Sequence, residues 1–218
     1  MSNTLIFAVM ALAFGIYVLY SRKKYNKART AAFEGLAAEL GLRFYPERLD
    51  MLDRFRGMHL MKMGDGRIAR NIIFGYVGDV RISIFDFHYS VGSARYRIRK
   101  MLTAVALESA EITAPVFSMW PLDAPLVKLR KVFGGQDINF ESHPEFSKLF
   151  VLEGPKEKPL RDFFTPERLT FFETKAGYCV EVNARQIVVY KIGELIRPEN
   201  VEDLLASAQE IYGRIVDG

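Results

Sequence analysis

An uncharged, apolar stretch near the amino terminus constrains this chain more than any other feature. Residues 4–20 (TLIFAVMALAFGIYVLY) carry no charged side chain. A basic collar follows, made of Arg22, Lys23, Lys24, Lys27 and Arg29. Seventeen residues at helical rise extend about 25 Å, close to the ~30 Å hydrocarbon core of a bilayer. We therefore predict a transmembrane helix over residues 4–21, within an anchor and collar that occupy residues 1–28.

The place of the collar predicts the orientation of that helix. Lys and Arg beside a span stay preferentially in the cytoplasm, and residues 1–3 carry no charged side chain. We expect a single-pass protein of the inner, cytoplasmic membrane, with its amino terminus outside and the remaining chain in the cytoplasm. Each collar cation near an anionic leaflet contributes about 1 kcal/mol, so anionic lipid is one predicted partner. Topology determination without lipid specificity is the alternative role of the collar.

The positive charge of the chain belongs to the collar. The 218 residues carry 30 Lys and Arg against 26 Asp and Glu, a formal charge of +4. The collar holds five of these cations and residues 1–29 hold no acid, so the remainder is close to neutral. This distribution argues against a nucleic-acid partner. The single Cys179 excludes an internal disulfide and a cysteine-based metal cluster.

Residues 29–218 are predicted to form one α+β domain, with sub-units at 29–133 and 134–218 as an alternative division. Alternating apolar residues between Gly-Asp turns predict an antiparallel meander. Its predicted strands are 59–63, 67–77, 80–90 and 95–108, and further strands are predicted at 115–121, 150–153, 178–182 and 186–191. Helical spacing and capping residues predict helices at 28–40, 46–55, 123–133, 165–174 and 197–216, the last of them amphipathic. Strands and helices that are segregated along the chain favour α+β over a parallel α/β sheet.

Four short segments resemble a family of uncharacterised bacterial membrane proteins. They are GGQDINFESHPEFS at 134–147, an Ala-x-x-Leu-Gly-Leu helix end at 37–42, an Asn-x-x-x-Gly strand at 71–75 and Pro-x-Phe-Ser at 115–118. The resemblance implies one amino-terminal span and a cytoplasmic α+β domain. It implies no activity and no site residues.

Asp86 and His88 are the first candidate site. Period-two alternation places both on one strand face, where the carboxylate could orient the imidazole for acid–base chemistry. A structural Asp–His hydrogen bond at the sheet margin is the alternative interpretation.

A second candidate site lies between residues 137 and 145. Three carboxylates and an imidazole occur there, which are suitable ligands for a divalent metal: Asp137, Glu141, His143 and Glu145. Capping of backbone groups at a helix start is the alternative role.

Three alternating arginines are the third candidate. Arg95, Arg97 and Arg99 would line one strand face, with Lys100 on the other. This arginine ladder is suited to anionic lipid, phosphate or an acidic protein partner, although exposed arginines also occur on solvated faces.

Two classes of function follow from these observations. We favour a membrane-anchored cytoplasmic binding or scaffold module without a cofactor, since no phosphate-binding loop or catalytic motif is present. The alternative is a membrane-tethered hydrolase or metal-dependent enzyme that uses His88 or His143. An enzyme requires the Asp86 and Asp137 regions to converge on one pocket.

Overall fold

A single antiparallel sheet forms the centre of the fold. The computed structural model describes residues 3–48, 50–93, 95–123 and 137–217. In these residues the strand order is β1-β2-β3-β4-β8-β7-β5-β6. The strands are β1 (Arg43–Glu47), β2 (Asp65–Val77), β3 (Val80–Ser93), β4 (Tyr96–Glu108), β5 (Phe117–Pro121), β6 (Phe150–Glu153), β7 (Cys179–Asn183) and β8 (Gln186–Tyr190). The helices are α1 (Asn3–Glu39), α2 (Asp50–Arg54), α3 (Pro144–Leu149), α4 (Glu157–Phe163), α5 (Pro166–Glu173) and α6 (Val201–Val216), with 3₁₀ turns at Leu60–Lys62 and Pro198–Asn200. The predicted α+β class is confirmed.

The long hairpins β2–β3 and β3–β4 form the predicted meander. Val77 pairs with Val80 across a tight turn, where Gly78 has φ +58°. A side chain at this φ is strained, whereas glycine adopts it without cost. The turn residues therefore set the register of the hairpin.

Both faces of the sheet are covered, and the alternation along β3 shows it. Ile82 and Ile84 pack into a core with α1, α5 and α6 on one face. Phe85 and Phe87 point to the other face and pack with the segment of α2 and the first 3₁₀ turn. Residues 82–87 of β3 are buried in succession, which is what a strand covered on both faces requires.

Strands from both predicted sub-units share this one sheet. β5, from the first sub-unit, lies between β7 and β6 of the second. β8 in turn pairs with β4, with Val189 opposite Val105. The core is therefore built jointly from residues on both sides of position 134.

The carboxyl-terminal helices follow their capping and periodicity signals. The Thr165 side chain accepts a hydrogen bond from the backbone N–H of Arg168 at the start of α5, as an N-cap residue does. In α6 the buried residues recur at helical spacing: Val201, Leu204, Leu205, Ala208, Ile211 and Ile215.

Near the meander one predicted element is wrong and one is shorter than predicted, and a third prediction falls outside the described residues. The predicted strand at 59–63 is a 3₁₀ turn, Leu60–Lys62, because the backbone N–H groups at its start bind a side chain instead of a neighbouring strand. The predicted helix at 46–55 begins only at Asp50, since β1 occupies the residues before it. The predicted helix at 123–133 lies outside the described residues from 124 onward.

Helix α1 runs continuously through the apolar stretch and the collar to Glu39. Among the residues that the structure describes, no helix is long and apolar enough to cross a membrane. This finding overturns the predicted span over residues 4–21, its orientation and the inner-membrane location. The apolar run with described side chains is residues 7–20, about 21 Å of helix, and the charged collar follows it immediately.

Candidate functional site

A buried ion pair attaches α1 to the sheet. Arg29 donates from Nε and Nη2 to the two carboxylate oxygens of Asp86 on β3, each at 2.7 Å. The side chains are 4% and 1% exposed, so both charges have left water. A guanidinium matches a carboxylate in this two-pronged geometry. The same guanidinium lies over the ring of Phe33, with 4.7 Å from Cζ to the ring centroid.

Further donors complete the shell around Asp86. Asn71 on β2 donates to Oδ2 at 2.8 Å and Thr103 on β4 donates to Oδ1 at 3.0 Å. Asn71 has φ +49°, a conformation that Asn tolerates better than most residues, and its own Oδ1 accepts from Thr30 on α1. Asp86 therefore accepts four hydrogen bonds that tie three strands and a helix together.

His88 has a different environment from the one predicted for it. In the described residues Asp86 bonds Arg29, Asn71 and Thr103, and no hydrogen bond joins it to His88. The prediction of an Asp86–His88 hydrogen bond is wrong because Arg29, from a distant helix, supplies the stronger, charged partner. Burial lowers the pKa of His88, and the nearby cations Arg70 and Arg99 lower it further, against the raising effect of Asp86. The imidazole is therefore neutral at neutral pH.

Asp86 and His88 lie on the floor of a cleft of about 700 Å³ between α1 and the sheet. Its walls come from α1 between Ser21 and Thr30, from β1 to β4, and from Leu195. This volume falls in the range of small-molecule binding sites. None of the residues predicted as metal ligands lines it.

The cleft carries more positive than negative charge. Arg29 is paired with Asp86, and Arg70 lies 3.3 Å from Glu47. The remaining charged residues that line the cleft are Arg22 on α1 and Arg99 on β4. Both are exposed, and within the described residues no carboxylate forms an ion pair with either. Two cations on different walls are thus available to an anion.

The members of the predicted arginine ladder lie in different surroundings, and so do the members of the basic collar. Arg99 lines the cleft with Met101, and Arg97 lies on the same face of β4, whereas Arg95 precedes the strand. In the collar, Arg29 is buried and Arg22 lines the cleft, while the side chains of Lys23, Lys24 and Lys27 are exposed. The prediction that every collar cation lies near an anionic leaflet is wrong for Arg29, because its ion pair with Asp86 holds it in the interior.

The predicted metal ligands do not form a metal site. No group of three or more His, Cys, Asp or Glu residues in the described part of the chain could hold a metal ion. Glu145 pairs with Lys148 at 2.7 Å, and His143 Nδ1 lies 3.1 Å from the Ser142 hydroxyl. Asp137 accepts from the backbone N–H of Leu152, and Glu141 is exposed.

A second buried carboxylate, Glu181 on β7, was not predicted. It accepts the backbone N–H groups of His59 and Leu60 and the hydroxyl of Tyr190, the last at 2.7 Å. Burial raises the pKa of Glu181 to about 7, and the three donors limit the rise. Burial also raises the pKa of the neighbouring Cys179 thiol, so that thiol is protonated and a poor nucleophile.

The sequence contains signals for the buried charges of Arg29 and Glu181. Arg29 precedes Phe33, Leu36 and Ala37 at helical spacing, so it shares their buried face. Glu181 interrupts an apolar run in a strand. A charge inside an apolar pattern indicates an internal partner, although the partner itself lies far away in sequence.

Comparison with known proteins identifies a fold relative. No protein-family model matches the chain, and no curated protein sequence matches it. The crystal structure of the mycobacterial trehalose monomycolate transport factor A, TtfA, is similar, with a TM-score of 0.58 and 13% identity. The alignment covers 86% of this chain and 94% of TtfA. At this identity the likeness establishes a shared fold.

Proposed function

We propose that this chain is a non-enzymatic accessory module that binds an anion-bearing ligand in the cleft between α1 and the sheet. The observation that carries the proposal is a pair of cations, Arg22 and Arg99, on different walls of a cleft of about 700 Å³. Neither cation has a carboxylate partner within the described residues. The fold relative is a transport factor, which agrees with an accessory role.

The floor of the cleft supports binding over catalysis. A general base needs a free lone pair within reach of the substrate proton. Asp86 instead accepts four hydrogen bonds and is 1% exposed. His88 is neutral, but in the described residues no carboxylate is hydrogen-bonded to its imidazole to orient it for proton transfer. The Asp137 to Glu145 region does not reach this cleft, so the convergence that the enzyme hypothesis requires does not occur.

An NMR titration with inorganic phosphate tests the proposal. We expect saturable shifts in the amides of Ser21, Arg22, Arg99 and Met101. The double variant Arg22→Gln/Arg99→Gln should weaken binding at least about tenfold, since charge-assisted contacts to an anion are the strong ones.

A charge-matched variant serves as the control. Lys23 and Lys100 adjoin the two arginines in sequence but do not line the cleft. Lys23→Gln/Lys100→Gln should therefore bind phosphate like the wild type. Equal losses in both double variants, or shifts scattered over the surface, would contradict a cleft site.

A further inference from the structure

The non-polar walls of the cleft extend the proposed function to a class of ligand. We infer that the ligand is a single-chain amphiphile, with an acidic head between Arg22 and Arg99 and an apolar chain against the other walls. This inference rests on the proposed function, because it assumes that the two cations bind the head.

Apolar side chains line the cleft beside the cations. Met101 follows Arg99 at the next position on the same face of β4, and its side chain is 37% exposed. Tyr25, Pro46 and Leu195 provide apolar surface on the other walls. A small anion such as phosphate would leave this surface in water, whereas an acyl chain would cover it.

The mouth of the cleft adjoins a larger apolar surface. Ser21, the first lining residue of α1, directly follows the apolar residues 7–20. Tyr17 and Tyr20, in the turn before the cleft, are each 66% exposed. A chain longer than the cleft can therefore continue in contact with the apolar side chains of α1.

The charge pattern distinguishes an acidic amphiphile from a neutral one. Arg29 and Arg70 already have the carboxylates of Asp86 and Glu47 beside them. Arg22 and Arg99 lack one within the described residues, so they favour a ligand that brings its own negative charge.

Competition against a dansyl-labelled undecanoic acid tests the inference on the full chain. Dodecanoate, below its micelle concentration, should displace this probe at a concentration at least about 100-fold lower than acetate does. Each buried methylene strengthens binding about fourfold, so burial of only about three or four methylenes already gives this factor. Dodecanol, which has the chain without the charge, should displace it at least about tenfold more weakly than dodecanoate.

Two variants separate the head from the chain. Arg22→Gln/Arg99→Gln should weaken dodecanoate at least about tenfold and leave dodecanol unchanged, with Lys23→Gln/Lys100→Gln as the charge-matched control. Met101→Gln/Leu195→Gln should weaken dodecanoate and leave the phosphate titration unchanged.

The possible failures are distinct. If acetate displaces the probe as well as dodecanoate does, the apolar chain has no role and the amphiphile inference is overturned, while the anion cleft stands. If dodecanol binds as tightly as dodecanoate and the arginine variant has no effect, the anion cleft itself is contradicted. A melt of each variant by circular dichroism confirms that loss of binding is not loss of fold.

Discussion

Arg29 and Asp86 form the contact that organises the candidate site. Taking two charges out of water is costly, and this pair recovers the cost through its two-pronged geometry and the donors on Asn71 and Thr103. A buried pair of this kind is expensive to break from one side. Together with the packing of Phe33, Leu36 and Ala37 in the core, the pair holds α1 against the sheet beside the cleft.

We predict that Arg29→Met destabilises the fold by about 3–5 kcal/mol, because the Asp86 carboxylate stays buried without its cation. The double variant Arg29→Met/Asp86→Leu should be much less destabilised, since no buried charge remains. Urea denaturation gives the free energies of unfolding.

His88→Ala is the comparison for this prediction. Because His88 is not hydrogen-bonded to Asp86, His88→Ala should lower the free energy of unfolding by much less than Arg29→Met does. A His88 variant as unstable as Arg29→Met would show that the imidazole, and not the guanidinium, supports Asp86.

At the scale of elements, Glu181 fastens one segment to the sheet. The segment of α2 and the first 3₁₀ turn packs on β3 and β4 through apolar side chains, and Glu181 on β7 binds the backbone where that turn begins. A strand predicted at 59–63 would have needed those N–H groups for its ladder. The competing side-chain acceptor explains why a short apolar run became a 3₁₀ turn.

Glu181 predicts a pH dependence of stability. Its pKa in the folded chain, about 7, lies above the ordinary value of 4.5. Between these values the unfolded chain releases the proton and the folded chain retains it, so stability falls as pH rises from about 4.5 to 7. The full loss is on the order of 3 kcal/mol.

Denaturation of the wild type and Glu181→Gln between pH 5 and pH 8 measures this effect. As pH rises, the free energy of unfolding of the wild type should fall relative to that of Glu181→Gln. Glu157→Gln, at a partly exposed site on α4, is the control and should show no such trend. A constant difference for Glu181→Gln across the range would mean that Glu181 is ionised throughout.

The apolar residues 4–20 lie in the first half of α1, where a membrane span was predicted. The sequence between residues 4 and 20 has the composition of a span, yet no helix in the described residues meets the length and hydropathy that crossing requires. The collar begins only two residues after Tyr20. The sequence correctly predicted a helix at these residues. The prediction that this helix crosses a membrane is wrong.

For the whole molecule, the sheet order determines what can fold alone. β5 lies between β7 and β6, and β4 pairs with β8. A division at residue 134 would therefore cut the sheet into strands without their neighbours, and would expose the core that both parts share.

We predict that a fragment of residues 134–218 does not fold by itself. Without β5, strand β7 loses its neighbour on one edge and β6 loses the strand to which it is hydrogen-bonded. Circular dichroism should show no cooperative melt, and co-expression with residues 29–133 should restore one. A cooperative melt of the isolated fragment would establish two independent sub-units instead.

The sequence by itself determined the local elements of this protein. Gly-Asp turns and two-residue alternation predicted β2, β3 and β4, and the Thr165 cap predicted α5, because turn conformation and periodicity are properties of neighbouring residues. Tertiary structure alone decided which partner each buried charge received. Arg29 meets Asp86 across 57 positions, and Glu181 meets Leu60 across 121. Such contacts are selected by burial and charge between distant segments, and no local pattern contains that information.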